Sequence, residues 1–363
     1  MCNHVHYLHA HHRHSIFCIL PPYILSQIVQ SGSDQQRSSA LGTLRTDQTF
    51  RTLRATNQSP AGAVLGKPVT ATEEGQKQRT IYTAKNTQTL PGTVVRAEGA
   101  PPSGDPAVDE AYDGLGDTFD FYWEVFERNS INDQGLPLDA TVHFGDKYDN
   151  AFWDGSRMVF GDGDGELFNR FTIAIDVIGH ELTHGVTEDE AKLTYMFQPG
   201  ALNESISDVF GSLIKQRALN QTADKADWLI GAGLFTKNVK GTALRSMKAP
   251  GTAYDDPVLG KDPQPASMKH FVRTYQDNGG VHINSGIPNH AFYLVATKLG
   301  GYAWEKAGKI WYETLRNSSL RPGTGFKSFA RLTATVAGRL YGANSVEQKA
   351  IQESWAEVDL PIT

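Results

Sequence analysis

The chain has 363 residues, 39% of them hydrophobic and 20% charged, which suits two or three packed cores and excludes wholesale disorder. Its net charge of −6 is uneven: 8 basic residues stand against 4 acidic ones through Arg79 and 26 against 36 beyond it, giving a +4 front and a −10 body. An acidic body disfavours nucleic acid as a partner. No run reaches the ~20 apolar residues of a membrane helix, and both cysteines, Cys2 and Cys18, precede residue 20, so the rest folds without a disulfide.

In chain order, His4, His6, His9, His11, His12 and His14 read as a solvated tail, with metal binding as the second reading. The apolar run at 16–25 is broken by Pro21 and Pro22 and follows histidines instead of a basic segment, so it makes a poor signal peptide. Residues 32–78 are rich in Ser, Thr, Gln, Gly and Ala and read as a linker or loosely ordered pro-region, with the main boundary near Gln78. Period-two patterns predict strands at 80–83 and 141–144, with a helix at 106–128 between them. Gly161-Asp162-Gly163-Asp164-Gly165 reads as a turn in preference to a cation loop. After Phe171 helices dominate, at 172–187, 199–218, 288–299, 302–316, 325–340 and 345–357; Pro199 suits a first turn, and Leu202, Ile206, Val209, Phe210 and Leu213 recur at helical spacing. The expected class is therefore α+β, mixed in front and mainly helical behind.

The residues that carry chemistry lie on the first two of those helices. His180-Glu181-Leu182-Thr183-His184 puts two imidazoles on one helix face, one turn apart, as two ligands of one zinc require. Glu204 follows His184 by twenty residues, and Asp208 lies one turn further along an otherwise apolar helix. Two acids there would be costly to bury unpaired, which makes Glu204 the third ligand and Asp208 a partner behind the ligands. Two His and one Glu leave a fourth zinc position for water, whose pKa falls to roughly 7 there, with Glu181 placed to take its proton.

With these motifs the chain resembles the thermolysin family of metallopeptidases over residues 79–360. The resemblance implies an N-terminal sheet-and-helix unit (79–189), a mainly α-helical unit (190–363), and a zinc site in the cleft between them. It implies that Asn150 and Ala151, in Asn150-Ala151-Phe152-Trp153, belong to an edge strand that binds extended substrate. Tyr195 and His282 match the pair that stabilises the oxyanion, with Asp277 orienting His282. Arg245 matches the arginine that holds a substrate carbonyl. Phe168, Phe171, Val177, Ile230, Leu234 and Leu244 match the pocket for the residue after the scissile bond, implying cleavage on the amino side of large hydrophobic residues.

Pro21-Pro22-Tyr23-Ile24-Leu25 is similar to the pro-region motif of protealysin-type members, whose short pro-regions cover the cleft; this implies a zymogen with an inhibitory pro-region at 1–78. A zinc cap by the Cys2 or Cys18 thiolate is a lesser reading. Calcium is doubtful as a cofactor: Asp176 and Asp227 match the family's calcium carboxylates, but Lys215, Leu229 and Ala232 stand where further acids belong, and Lys215 is expected to replace calcium by pairing with Asp176 or Asp227. The expected protein is a secreted, monomeric zinc endopeptidase acting on peptides, with a cytoplasmic precursor as an alternative location. The competing functions are an inactive precursor serving as a regulated binding protein, a zinc aminopeptidase, and a non-catalytic zinc module.

Overall fold

A computed structural model describes residues 17–55 and 73–362; the histidine-rich tract, Cys2 and the stretch 56–72 lie outside the described residues. The front of the chain builds a six-stranded sheet. Strand β2 (Arg79–Thr83) alternates buried and half-buried residues, the period-two pattern of a strand with one face in the core. It pairs antiparallel with β3 (Thr93–Ala97) and parallel with β4 (Leu138–Val142). Next to β4 run β6 (Met158–Phe160), parallel to it, and β5 (Ala151–Trp153), antiparallel to β6. The edge is closed by β1 (Phe17–Cys18), antiparallel to β5 with Phe17 opposite Trp153, so the sheet order is β1-β5-β6-β4-β2-β3.

After β1, two helices, α1 (Pro22–Ser31) and α2 (Asp34–Ala55), lie outside this sheet edge. All of α2 falls in the stretch expected to be a linker or loosely ordered. The expectation fails because this helix is held by polar contacts more than by a broad apolar stripe. Ala40, Thr43, Asp47 and Phe50 recur at three- and four-residue spacing and are buried. Thr43 Oγ1 accepts from Asp149 N at 3.0 Å, while Asp47 accepts from Tyr148 Oη at 2.5 Å and from Asn150 Nδ2 at 3.0 Å.

Helix α3 (Pro106–Phe126) starts as expected, with Asp105 accepting from Ala107 N and Pro106 in the first turn. It packs between the sheet and α4 (Ile175–Glu190), which is followed by α5 (Phe197–Ala218). The latter two approach very closely. A Cβ on Gly211 would lie 2.4 Å from the Asp176 carbonyl oxygen, and one on Gly179 would lie 3.2 Å from Gly211 Cα. Only glycine permits that contact, and it brings the side chains at 180, 184, 204 and 208 together.

Behind them lie a short ladder of β7 (Leu229–Ile230) and β8 (Arg245–Ser246) and the helices α6 (Asp277–Asn284), α7 (Gly286–Leu299), α8 (Lys309–Leu315), α9 (Phe326–Tyr341) and α10 (Val346–Glu357). The helix expected over 302–316 is interrupted by a π-helical turn at Trp304–Gly308, where Gly308 N donates to Ala303 O and Gly308 packs on Leu213. The expected turn at 161–165 lies further along, at 164–168, where Asp164 Oδ1 accepts from the backbone N–H groups of Glu166, Leu167 and Phe168.

Candidate active site

Helices α4 and α5 bring His180 Nε2 and His184 Nε2 within 3.0 Å of each other, with Glu204 oxygens 3.5 Å from each. His180 Nδ1 lies 2.8 Å from Asp208 Oδ1, and His184 Nδ1 lies 2.8 Å from Asn203 Oδ1. A carboxylate and an amide oxygen only accept, so each Nδ1 carries the proton and the two Nε2 lone pairs face each other. Burial and the neighbouring His180 hold His184 well below the ordinary imidazole range, in its neutral form. Glu204 Oε2 is buried without a hydrogen-bond partner. Three converging lone pairs in a dry site repel unless a cation lies among them. The donor set, with all ligand atoms within 4.8 Å of one another, fits zinc.

Asp208 is gripped from three directions. Arg245 donates from Nε to Oδ2 at 2.9 Å and from Nη2 to Oδ1 at 2.8 Å, and Asn289 Nδ2 donates to Oδ2 at 2.8 Å. Burial opposes ionisation, yet Arg245 and His180 hold the carboxyl well below the usual range. Glu181 Oε2 accepts from Trp153 N at 3.1 Å, which fixes the carboxyl against the edge strand, while Oε1 is buried without a partner. Burial and the charge of Glu204 push this carboxyl well above the ordinary value.

On the opposite side of the cleft, Asp277, Asn278, Gly279 and Gly280 all have positive φ, from 49° to 83°, so α6 begins with a left-handed turn. That turn folds Asp277 back onto His282, accepting from His282 N at 2.9 Å and lying 2.6 Å from Nδ1. Burial lowers the pKa of His282, but Asp277 and Glu204 outweigh it and raise it. Tyr195 donates its hydroxyl to Glu204 Oε1 and lies 3.2 Å from His282 Nε2.

Residues 17–20 occupy this cleft. Ile19 N donates to Ala151 O at 3.2 Å, Leu20 N to Asn150 Oδ1 at 3.0 Å, and Arg245 Nη1 donates to Ile19 O at 3.1 Å. Cys18 O lies 3.2 Å from His282 Nε2, and the Phe17 ring stacks on His184 with centroids 4.2 Å apart. The Pro-Pro motif follows this stretch without spanning the centre: Pro21 caps α1 and Pro22 opens it. Cys18 cannot be a thiolate cap. Its side chain clusters with Phe50 and Phe152 and hydrogen-bonds Arg51, and burial pushes the thiol well above its ordinary value.

Phe168, Phe171, Val177, Ile230, Leu234 and Leu244 are buried in the same apolar cluster as Ile19 and Leu20, with Ile230 opposite Arg245 in the β7–β8 ladder. Sequence reasoning gave no role to Asn203, Trp153, Asn289 or Asp47. Asn203 had a readable signal, an amide immediately before a ligand. The other three are placed only by tertiary packing.

Thermolysin metallopeptidase family descriptions match the chain twice, the catalytic domain over residues 32–188 and the alpha-helical domain over 191–360. An extracellular metalloprotease of Pectobacterium carotovorum subsp. carotovorum is 52% identical over 347 residues, covering 96% of this chain and 97% of its own. Protease PrtS of a Photorhabdus strain is 52% identical over 346 residues, covering 95% and 92%. The solved precursor of protealysin, a metalloproteinase from Serratia proteamaculans, matches with a TM-score of 0.86 at 56% identity, covering 95% of this chain and 99% of that one.

Proposed function

We infer the roles of individual residues from the premise that the chain belongs to the thermolysin family, among its protealysin-like members, and is a zinc-dependent endopeptidase made as a zymogen. His180, His184 and Glu204 would hold the zinc, with Asp208 and Asn203 fixing the two imidazoles through Nδ1. Zinc, when bound, supplies a Lewis acid that polarises the substrate carbonyl and acidifies water. Glu181, anchored by Trp153 N, takes a proton at Oε1 and returns it to the departing amine. His282, oriented by Asp277, donates from Nε2 to the carbonyl oxygen as negative charge grows on it, and Tyr195 turns its hydroxyl from Glu204 to the same oxygen once substrate is engaged. Asn150 and Ala151 bind the substrate main chain by strand addition, and Arg245 holds the carbonyl that follows the scissile bond.

Phe168, Phe171, Val177, Ile230, Leu234 and Leu244 form the pocket that selects a large hydrophobic residue on the amino side of which cleavage occurs. Residues 1–78 form the inhibitory pro-region, followed by catalytic subdomains 79–189 and 190–363, and the enzyme works as a secreted monomer, in keeping with relatives named extracellular. The observation that carries the reading is the convergence of three unshared metal-ligand atoms and an unpartnered Glu181 oxygen in a cleft whose edge strand already holds a peptide. That peptide lies on both sides of the centre, Phe17 against His184 and Leu20 on Asn150, and a site that accepts chain on both sides favours an endopeptidase over an aminopeptidase.

Casein hydrolysis is expected to appear once the chain has processed itself, to vanish with a zinc chelator and to return with added zinc. A zinc-loaded, processed chain that leaves casein intact overturns the reading.

Calcium has no place at the family's double site in this proposal. Lys215 Nζ donates to Asp176 Oδ2 at 3.1 Å, Asp227 Oδ1 at 3.0 Å and the Leu229 carbonyl at 3.1 Å, where a cation would otherwise balance the acids. Thermal unfolding should therefore be the same in calcium and in a calcium chelator. Lys215→Ala, which leaves Asp176 buried and unpaired, should cost about 3 kcal/mol in urea unfolding. A large calcium-dependent gain in the parent chain overturns this assignment.

A further inference from the structure

The stretch in the cleft does more than fill it. Its hydrogen bonds fix a direction and a register. Ile19 gives its N–H to Ala151 O and its carbonyl to Arg245, and Leu20 gives its N–H to the side chain of Asn150. One residue earlier, the Cys18 carbonyl oxygen rests at His282 Nε2, 3.2 Å away, where the proposed oxyanion donor acts. Strand alternation divides the side chains. Phe17 and Ile19 point one way, with the Phe17 ring on His184 and Tyr195 and the Ile19 side chain fully buried. Cys18 points the other way, into the small cluster with Phe50 beneath α2.

A blocking segment that ran in the opposite direction, or one residue out of register, would take the Ile19 amide and carbonyl from Ala151 and Arg245 and remove the Cys18 carbonyl from His282. The observed register has neither fault.

We propose that residues 17–20 are bound as a substrate, with the peptide bond joining Cys18 to Ile19 in the scissile position, and that the segment displays the substrate class of the site: an extended chain with an aromatic residue, a small residue, then Ile and Leu. This rests on the residue roles given under the proposed function. Hydrolysis adds water across that bond. The carbon–nitrogen bond breaks, the Cys18 carbonyl carbon gains an oxygen and becomes a carboxylate, and the Ile19 nitrogen leaves as an amine carrying the proton.

The test uses the self-processed, zinc-loaded enzyme and a synthetic peptide of residues 16–25 carrying Cys18→Ser, which removes a thiol that binds zinc by itself. Mass spectrometry should show one cut, between positions 18 and 19. The same peptide with Ile19→Asp should lose at least about 100-fold in kcat/KM, because the pocket would have to bury a charge. A version with a reduced, uncleavable link at 18–19 should bind by calorimetry, and its Ile19→Asp form should not. In the full-length chain incubated with zinc, a new amino terminus at Ile19 is expected. Casein cleaved while the peptide is cut elsewhere, or neither cut nor bound, overturns the register. Casein and peptide both left intact overturns the endopeptidase roles themselves.

Discussion

Glu181→Gln is expected to lower kcat on peptide substrates by about 10^3- to 10^4-fold while leaving KM and zinc content nearly unchanged. Glutamine keeps the volume of the side chain, and its amide oxygen can still accept from Trp153 N, so the wall of the cleft stays in place. What the variant loses is a group able to take a proton and give it back. His180, His184 and Glu204 are untouched, so metal analysis should return the parent's zinc content. The full-length variant should also stop processing itself, and unfolding should begin at the parent's temperature or slightly above it, since the parent buries an ionisable oxygen without a partner. A loss in kcat of less than tenfold would assign the proton transfer to another residue, with His282 the next candidate by position.

The zinc cluster was legible because its geometry is local: two imidazoles at helical spacing and two acids on an apolar helix force the chemistry before any fold is known. Asp208 was legible as a partner behind the ligands, but which imidazole it and Asn203 each hold was not, since that depends on the glycine contact between α4 and α5. Arg245 shows the same limit. The family resemblance supplied one partner, a substrate carbonyl, and the structure shows a second, Asp208, reachable only after the β7–β8 ladder folds over α5.

Helix α2 was missed for a different reason. Its docking face sets Ser39, Thr43 and Asp47 beside Phe50, so a hydrophobicity pattern has little to report. The pro-region motif marked the right segment without saying which residues reach the centre: the prolines start α1, and Phe17 to Leu20 just before them lie in the cleft. Main-chain pairing to an edge strand needs no distinctive side chains, which is why it leaves so faint a trace in sequence.

The hold of α2 on the catalytic body is expected to weaken as pH rises. Ser39 Oγ lies 2.8 Å from both the Lys147 carbonyl and Asp149 Oδ2, and a hydroxyl has one proton to give. The contact is satisfied on both sides when Ser39 donates to Lys147 and a protonated Asp149 donates to Ser39. Asp149 favours that form: burial, with the charge of Asp164, pushes its carboxyl up to about 8 against the pull of Ser39 and Lys147, and Oδ1 has no partner. Burial also raises Asp47, under the same helix, to about 6 despite Arg51 and the donors Tyr148 and Asn150.

A carboxyl whose pKa is raised on docking contributes fully below its free value, and that contribution is lost as pH climbs through the docked value. For Asp149 the loss between pH 6 and 8 is about 2 to 3 kcal/mol. Self-processing should therefore quicken from pH 6 to 8.

Asp149→Asn separates this effect from the enzyme's own pH profile. Its amide can donate to Ser39 and never ionises. In the full-length Glu181→Gln background, where no cleavage intervenes, the unfolding temperature of the chain that keeps Asp149 should fall by about 5 °C relative to the Asp149→Asn chain between pH 6 and 9. Parallel curves across that range would mean that Asp149 is already ionised beneath α2, and the pH control of docking would then fall to Asp47.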